Sequence, residues 1–214
     1  MESRLLDAVD GGVRRDVLRQ AQRRRFDRRQ VLFHEGDPSG GMHLIQSGWV
    51  AVRLTTPLGD VATVAVIGPR EPLGEQSLVE DDGRRSTSAV SLTPVETLYL
   101  SREIFDDLRR HHPSVDRFLA ALFNDRLQRV SARLVEALYV PAPDRVLRRI
   151  AELADTFGPE GTISLTQEDL ASLAGTTRPT VNRVVRQAEK AGAVRATRGN
   201  LCVVDRELLT RLGH

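Results

Sequence analysis

A chain of 214 residues, 40% of them hydrophobic, is long enough for one large or two small domains with real cores. No apolar run approaches a membrane span, and Met1-Glu2-Ser3 before a short apolar pair is no signal peptide, so a cytoplasmic protein is expected. The one cysteine, Cys202, excludes an intrachain disulfide framework and any four-cysteine metal site within one chain.

Residues 3–22 read as helical, with Leu5, Leu6, Val9, Val13, Val17 and Leu18 as buried candidates. Residues 14–29 hold eight arginines and two aspartates. That is a basic cluster and a rival candidate for DNA binding, but it lacks a recognition geometry and reads rather as a solvated helix and loop. From residue 26 to 100 the texture changes to short β-branched runs broken by turn signals every 8–12 residues, the pattern of an all-β barrel or jelly roll. Gly36, Gly48 and Gly59 sit where hairpins must reverse.

Between these strands lies the most chemical segment, Pro72-Leu73-Gly74-Glu75-Gln76-Ser77-Leu78 and then Gly83-Arg84-Arg85-Ser86-Thr87-Ser88-Ala89. A glycine opening a short helix leaves N–H groups that favour an anion. An arginine and a serine at the far end suit a phosphate, and a nearby carboxylate suits a sugar hydroxyl. On composition alone, the same residues also make an ordinary surface loop.

After Ser101, a plausible cap, the pattern turns helical. Pro113 starts a long helix to about Tyr139, in which Ala120, Phe123, Leu127, Val130, Leu134 and Ala137 recur at spacings of three and four. This is the seam of a two-stranded coiled coil, so a dimer is expected. Residues 140–144 break it, and a helix from Asp144 to Phe157 follows.

Residues 166–190 read as two short helices around Ala174-Gly175-Thr176. Thr166 and Asp169 form a capping-box variant, and Thr177 can cap the second helix, whose first turn tolerates Pro179. Val181, Val184, Val185 and Ala188 share the apolar side. Asn182, Arg183 and Arg186 point away from it, and Arg178 and Thr180 project from the first turn. A helix-turn-helix needs this: one side to pack, and a polar N-terminal side to reach base edges. Residues 193–204 read as a two-stranded wing around Arg198-Gly199-Asn200, with a short capped helix after Asp205. Residues 175–200 carry six Arg or Lys and one acid, in a chain whose net charge is only +2. A local excess of this kind is the footprint of phosphate binding.

Barrel, long helix, proline-containing hinge and winged helix-turn-helix, in that order, resemble the bacterial cyclic AMP receptor protein and the superfamily it shares with the fumarate–nitrate regulator. The resemblance implies an α+β chain, not an enzyme. It divides as a cyclic-nucleotide-binding sensor domain at 1–112, a dimerisation helix at 113–140 and a winged helix-turn-helix domain at 141–214. It implies that Gly74 closes on the sugar and Glu75 accepts from the ribose 2′-hydroxyl. Arg85 and Ser86 hold the cyclic phosphate with the Thr87 backbone nearby, and Val52 and Val64 line the base. The family's threonine–serine pair at the adenine is Val130-Ser131 here, so one hydrogen bond is lost. On the DNA side, Arg178 and Arg183 match guanine-reading positions, and Thr177 and Thr180 match positioning contacts; Asn182 and Arg186 extend the polar side. The family's cytosine-reading glutamate is Pro179.

The expectation is a dimeric transcription regulator gated by a cyclic nucleotide, cyclic AMP before cyclic GMP. Its partners are a pseudo-palindromic duplex, a second copy and RNA polymerase, with no metal and no membrane. Two alternatives stand beside it: the same fold sensing another molecule or none, and a regulatory subunit of an enzyme. The histidines at 34, 43, 111, 112 and 214 offer no ligand pair for haem, and no catalytic motif is present.

Overall fold

The chain begins with two short helices, α1 (Arg4–Asp7) and α2 (Gly11–Gln20), where the apolar pattern suggested one. Asp10 causes the break, because its carboxylate accepts from the N–H groups of Gly12 and Val13 and restarts the helix there. Consecutive glycines at 11 and 12 also disfavour a continuous helix. The computed structural model describes residues 4–79, 83–157, 162–197 and 199–213. They form two units, one up to Val61 with Ala65–Leu127, the other Ala62–Val64 with Gln128 onward.

In the first unit the basic run does not stay helix and loop. Gln22–Phe26 is a strand, β1. Then come β2 (Val31–Phe33), β3 (Gly41–Ser47), β4 (Val50–Thr55), β5 (Val61–Ile67), β6 (Pro72–Leu73), the helix α3 (Gln76–Val79), β7 (Ser88–Ser91) and β8 (Val95–Ser101). β1 is an edge strand, antiparallel to β8 from Gln22 opposite Tyr99 to Phe26 opposite Val95. Arg23 and Arg25 reach the same carboxylate, Glu96, at 3.9 and 2.7 Å, and Arg24 lies 3.6 Å over the Tyr99 ring. The partners of this polar strand lie some 70 residues away, so no local pattern could announce it.

Two four-stranded sheets result, ordered β1-β8-β3-β6 and β2-β7-β4-β5. This interleaved antiparallel order is the expected jelly roll. Gly36, Gly48 and Gly59 take φ of 84°, 83° and 89°, as the hairpin reversals require. One core cluster joins Phe33, Ile45, Val50, Ile67, Leu73, Ala89 and Val95. A second packs Leu5, Leu6 and Val17 against Met42, Leu44 and Leu100 of the sheet and against α4 (Arg102–His111). Ser101 caps α4 by accepting from Ile104 N. β7 begins at Ser88, which leaves Ser86 and Thr87 as a bend.

α5 (Pro113–Tyr139) is one continuous helix. Val115, Leu119 and Leu122 are buried, and Phe123 packs against the second cluster. Beyond them the expected seam faces outward: Leu127, Val130 and Leu134 are 65%, 62% and 61% exposed.

In the second unit, Pro141 separates α5 from α6 (Ala142–Phe157). α6 starts two residues before Asp144, because Pro143 lies in its first turn, where no intrahelical N–H is lost. α7 (Gln167–Leu173) and α8 (Arg178–Lys190) follow, then β9 (Val194–Thr197), β10 (Asn200–Val203) and α9 (Arg206–Leu212). β9 and β10 are antiparallel, and Ile163 pairs with Leu201. Arg198, in the expected wing turn, lies outside the described residues. Among those described, no helix is long and apolar enough to cross a membrane, and no group of three His, Cys, Asp or Glu could hold a metal.

Candidate ligand cradle and DNA-reading helix

The cradle in the first unit is built from the stretch at 74–77 and the bend at 85–87. Arg85 turns inward and is 6% exposed. Its Nη1 donates to Gly74 O at 2.7 Å and Ser77 Oγ at 3.0 Å, its Nη2 donates to Gly41 O, and its guanidinium carbon lies 4.3 Å from the Phe33 ring centre. Ser77 in turn donates to Ser39 at 2.8 Å. Gly74 makes the approach possible. It has φ 83°, and a Cβ there would stand 2.2 Å from Arg85 Nη1. The arginine therefore spends both ends of its fork on protein carbonyls, where the sequence suggested a fork open to phosphate.

Glu75 is fully buried, and its Oε1 accepts from Arg126 of α5. Burial pushes its carboxyl above the ordinary range, against the opposing pull of Arg126 and Arg85. Burial outweighs Arg126, whose side chain keeps 32% of its exposure and is screened. Burial likewise lowers the Arg85 guanidinium from its usual value. Among the described residues, two buried side-chain atoms lack a hydrogen-bond partner: Glu75 Oε2 and Arg85 Nε. One is an acceptor and the other a donor, and each costs free energy until a partner arrives.

The remaining expected ligand residues are placed less centrally. Ser86 is exposed, with its hydroxyl 3.4 Å from Gln76 Oε1, and Thr87 is half-buried in the bend. Val52 is half-buried against the first core cluster. Val64 lies on β5 and Ser131 on α5, the latter exposed, and both belong to the second unit. Arg126, Ser77 and Ser39 were not expected in the cradle. Arg126 reads as a flank of the helix seam, and serines carry no spacing signal.

The second unit holds the helix pair. Thr166 Oγ1 accepts from Asp169 N at 3.1 Å, and Asp169 Oδ2 accepts from Thr166 N at 3.1 Å, closing the expected capping box. Gly175 makes the turn with φ 58°. Val181, Val184, Val185 and Ala188 are the buried side of α8. Arg178, Pro179, Arg183 and Arg186 are exposed. Two details differ from expectation. Thr177 is the N-cap residue, but its side chain makes no capping bond and meets the Thr180 hydroxyl at 3.2 Å instead. Asn182 is half-buried, and its amide donates to Gln167 Oε1 of α7 at 3.1 Å, so it braces the pair from within the groove between the helices. At 100° per residue, Asn182 falls on the boundary of the buried side, which a two-sided reading of the helix overlooks.

Residues 23–112 match the cyclic nucleotide-binding domain, and residues 144–212 match the Crp-like helix-turn-helix domain. The chain is 35% identical to the cyclic AMP receptor protein of Thermus thermophilus over 92% of its length and 90% of the relative's. It is 30% identical to a CRP-like cAMP-activated global transcriptional regulator of Mycobacterium tuberculosis over 91% of its length and 89% of the relative's. The chain belongs to the CRP family of DNA-binding transcription regulators. Its fold matches the crystal structure of the Thermus thermophilus catabolite activator protein with a TM-score of 0.55 and 33% identity, over 98% of this chain and 97% of that one. Like other CRP-family chains, it joins a cyclic nucleotide-binding domain to a helix-turn-helix and is a regulator, not an enzyme.

Proposed function

We propose that this regulator is a homodimer whose DNA affinity is set by a cyclic nucleotide, cyclic AMP in the first instance, held in the cradle of the first unit. The observation that carries the reading is the pair of unsatisfied buried atoms. Glu75 Oε2 wants a donor, as a ribose hydroxyl is, and Arg85 Nε wants an acceptor, as a cyclic phosphate oxygen is. Gly74, Ser86 and Thr87 border the same cradle, with Val52 for the base; Val64 and Ser131 are carried over from the family pattern. The ribose would share Glu75 with Arg126, a residue of the long helix, and so would act on α5 by differential contact.

Homodimer formation is supported by the exposed apolar stripe of Leu127, Val130, Leu134 and Leu138, at 61–67% exposure. Two recognition helices about 34 Å apart would read a pseudo-palindrome. Arg178 and Arg183 read guanines, and Thr177, Thr180 and Arg186 contact the backbone. Asn182, braced on Gln167, positions the pair. RNA polymerase is the partner at promoters, in the cytoplasm. The division into a sensor at 1–112, a dimer helix at 113–140 and a DNA module at 141–214 follows this reading. One observation favours a second: Val130 stands where an adenine-binding threonine is the family pattern, which suits a regulator that binds DNA without an effector.

Calorimetric titration with cyclic AMP and cyclic GMP separates the two readings. Cyclic AMP binds, and Arg85→Ala weakens it at least about tenfold, the worth of one charged hydrogen bond. No heat from either nucleotide refutes gating, and an unchanged affinity in Arg85→Ala refutes the cradle.

A further inference from the structure

Arg145 sits in the first turn of α6, where a cation faces the positive end of its own helix dipole. Helix stability therefore does not account for it. Its side chain goes elsewhere: Nη1 donates to Val140 O at 2.6 Å, Nε to Ala174 O at 2.9 Å and Nη2 to Gly175 O at 2.7 Å. Val140 directly follows α5, and its N–H closes the last turn on Glu136 O at 2.9 Å. Ala174 is the C-cap of α7, and Gly175 is the positive-φ residue of the turn before α8. These carbonyls lie at the C-terminal ends of two helices, where backbone acceptors lack intrahelical donors and the dipole favours a cation. Among the described residues no carboxylate pairs with the guanidinium, and its three bonds go to backbone carbonyls. A planar fork with several fixed donors suits three separate carbonyls; an ammonium on a flexible stem does not.

We infer that Arg145 is a positioning residue that ties the end of the long helix to the turn of the helix-turn-helix, so that the setting of α5 fixes the setting of α8. Arg145 touches no base or phosphate in this role. It acts through Ala174 and Gly175, which lie three residues before Thr177 and Arg178 respectively. The effector-dependent half of the inference rests on the gating proposed above; the positioning half does not.

The test uses the full chain, Arg145→Gln and Arg145→Lys, and a duplex obtained by binding-site selection with the wild type. Four quantities are measured: DNA affinity across a salt series, with and without cyclic AMP; cyclic AMP affinity; thermal melting; and amide hydrogen exchange at residues 174–177. Both variants should bind DNA at least tenfold more weakly. The slope of log affinity on log salt should be unchanged, exchange at the turn faster, and cyclic AMP affinity as in the wild type. The ratio of DNA affinities with and without cyclic AMP should fall toward one.

Unchanged DNA affinity overturns the inference. So does a salt slope reduced by about one, which makes Arg145 a phosphate contact, and so does full rescue by lysine, which makes the role one of charge alone. If Arg145→Gln does not fold, Arg145→Lys decides. A wild type whose DNA affinity ignores cyclic AMP refutes the gating reading, while salt slope and turn exchange still decide the position of Arg145.

Discussion

Replacing Gly74 by alanine combines two costs that can be separated. At φ 83° an L residue is strained by about 1–2 kcal/mol. The new Cβ would also stand 2.2 Å from Arg85 Nη1, so the guanidinium must withdraw and lose its bonds to Gly74 O and Ser77 Oγ. Each of these charged hydrogen bonds contributes about 1.5–3 kcal/mol. The total is roughly 4–8 kcal/mol if nothing relaxes, and less if the flexible arginine finds new partners. Gly59 is the control: its φ is 89°, and an added Cβ meets nothing within 4 Å. Gly59→Ala should therefore show the backbone strain alone, a shift of about 2–8 °C in melting temperature at 2–4 °C per kcal/mol. Gly74→Ala should shift at least twice as far and lose cyclic AMP binding, whereas Gly59→Ala keeps it. Trp49, the only tryptophan, lies in the first unit and reports its unfolding by fluorescence. Equal shifts from the two substitutions would refute the claim that close approach of Arg85 is why position 74 is glycine.

Arg183→Ala should lose about 1–3 kcal/mol of base discrimination at one step of the half-site, and Pro179→Glu should shift the preferred half-site toward cytosine at the neighbouring step; binding-site selection reads both. Leu134→Asp, in the exposed stripe of α5, should turn the proposed dimer into a monomer in analytical ultracentrifugation and remove tight binding to a full palindrome. His43 is 2% exposed, its Nδ1 meets Thr97 Oγ1 at 3.0 Å, and burial together with Arg85 and Arg24 lowers its pKa from 6.5 to about 3. A depressed folded pKa means stability that is complete above the unfolded value and is lost as pH falls. Unfolding should therefore become easier from pH 6.5 down toward 3, by on the order of 5 kcal/mol in full. His43→Phe should flatten that part of the stability profile, and an unchanged profile would exclude His43 as its source.

The parts legible in the sequence are those whose signal is local. The capping box at Thr166 and Asp169, the turn at Gly175 and the buried side of α8 follow from spacing and from φ preferences, and the structure has all three. The edge strand β1 was not legible, because a run of arginines carries no strand pattern and its partner β8 lies far along the chain. Asn182 reads as polar and therefore outward. Only the packing of α7 on α8 turns it toward Gln167.

The cradle shows the division most clearly. The sequence grouped Gly74, Glu75 and Arg85 only through resemblance to the family's cyclic-nucleotide motif, because on composition alone the same residues also make an ordinary surface loop. The tertiary structure decided how they are used. It turned the Arg85 fork onto Gly74 and Gly41, brought Arg126 from α5 to Glu75, and left Glu75 Oε2 and Arg85 Nε without partners. Those outcomes depend on burial and on contacts between residues 11 to 51 positions apart, and free energies of that kind are set by the packed surroundings rather than by local sequence.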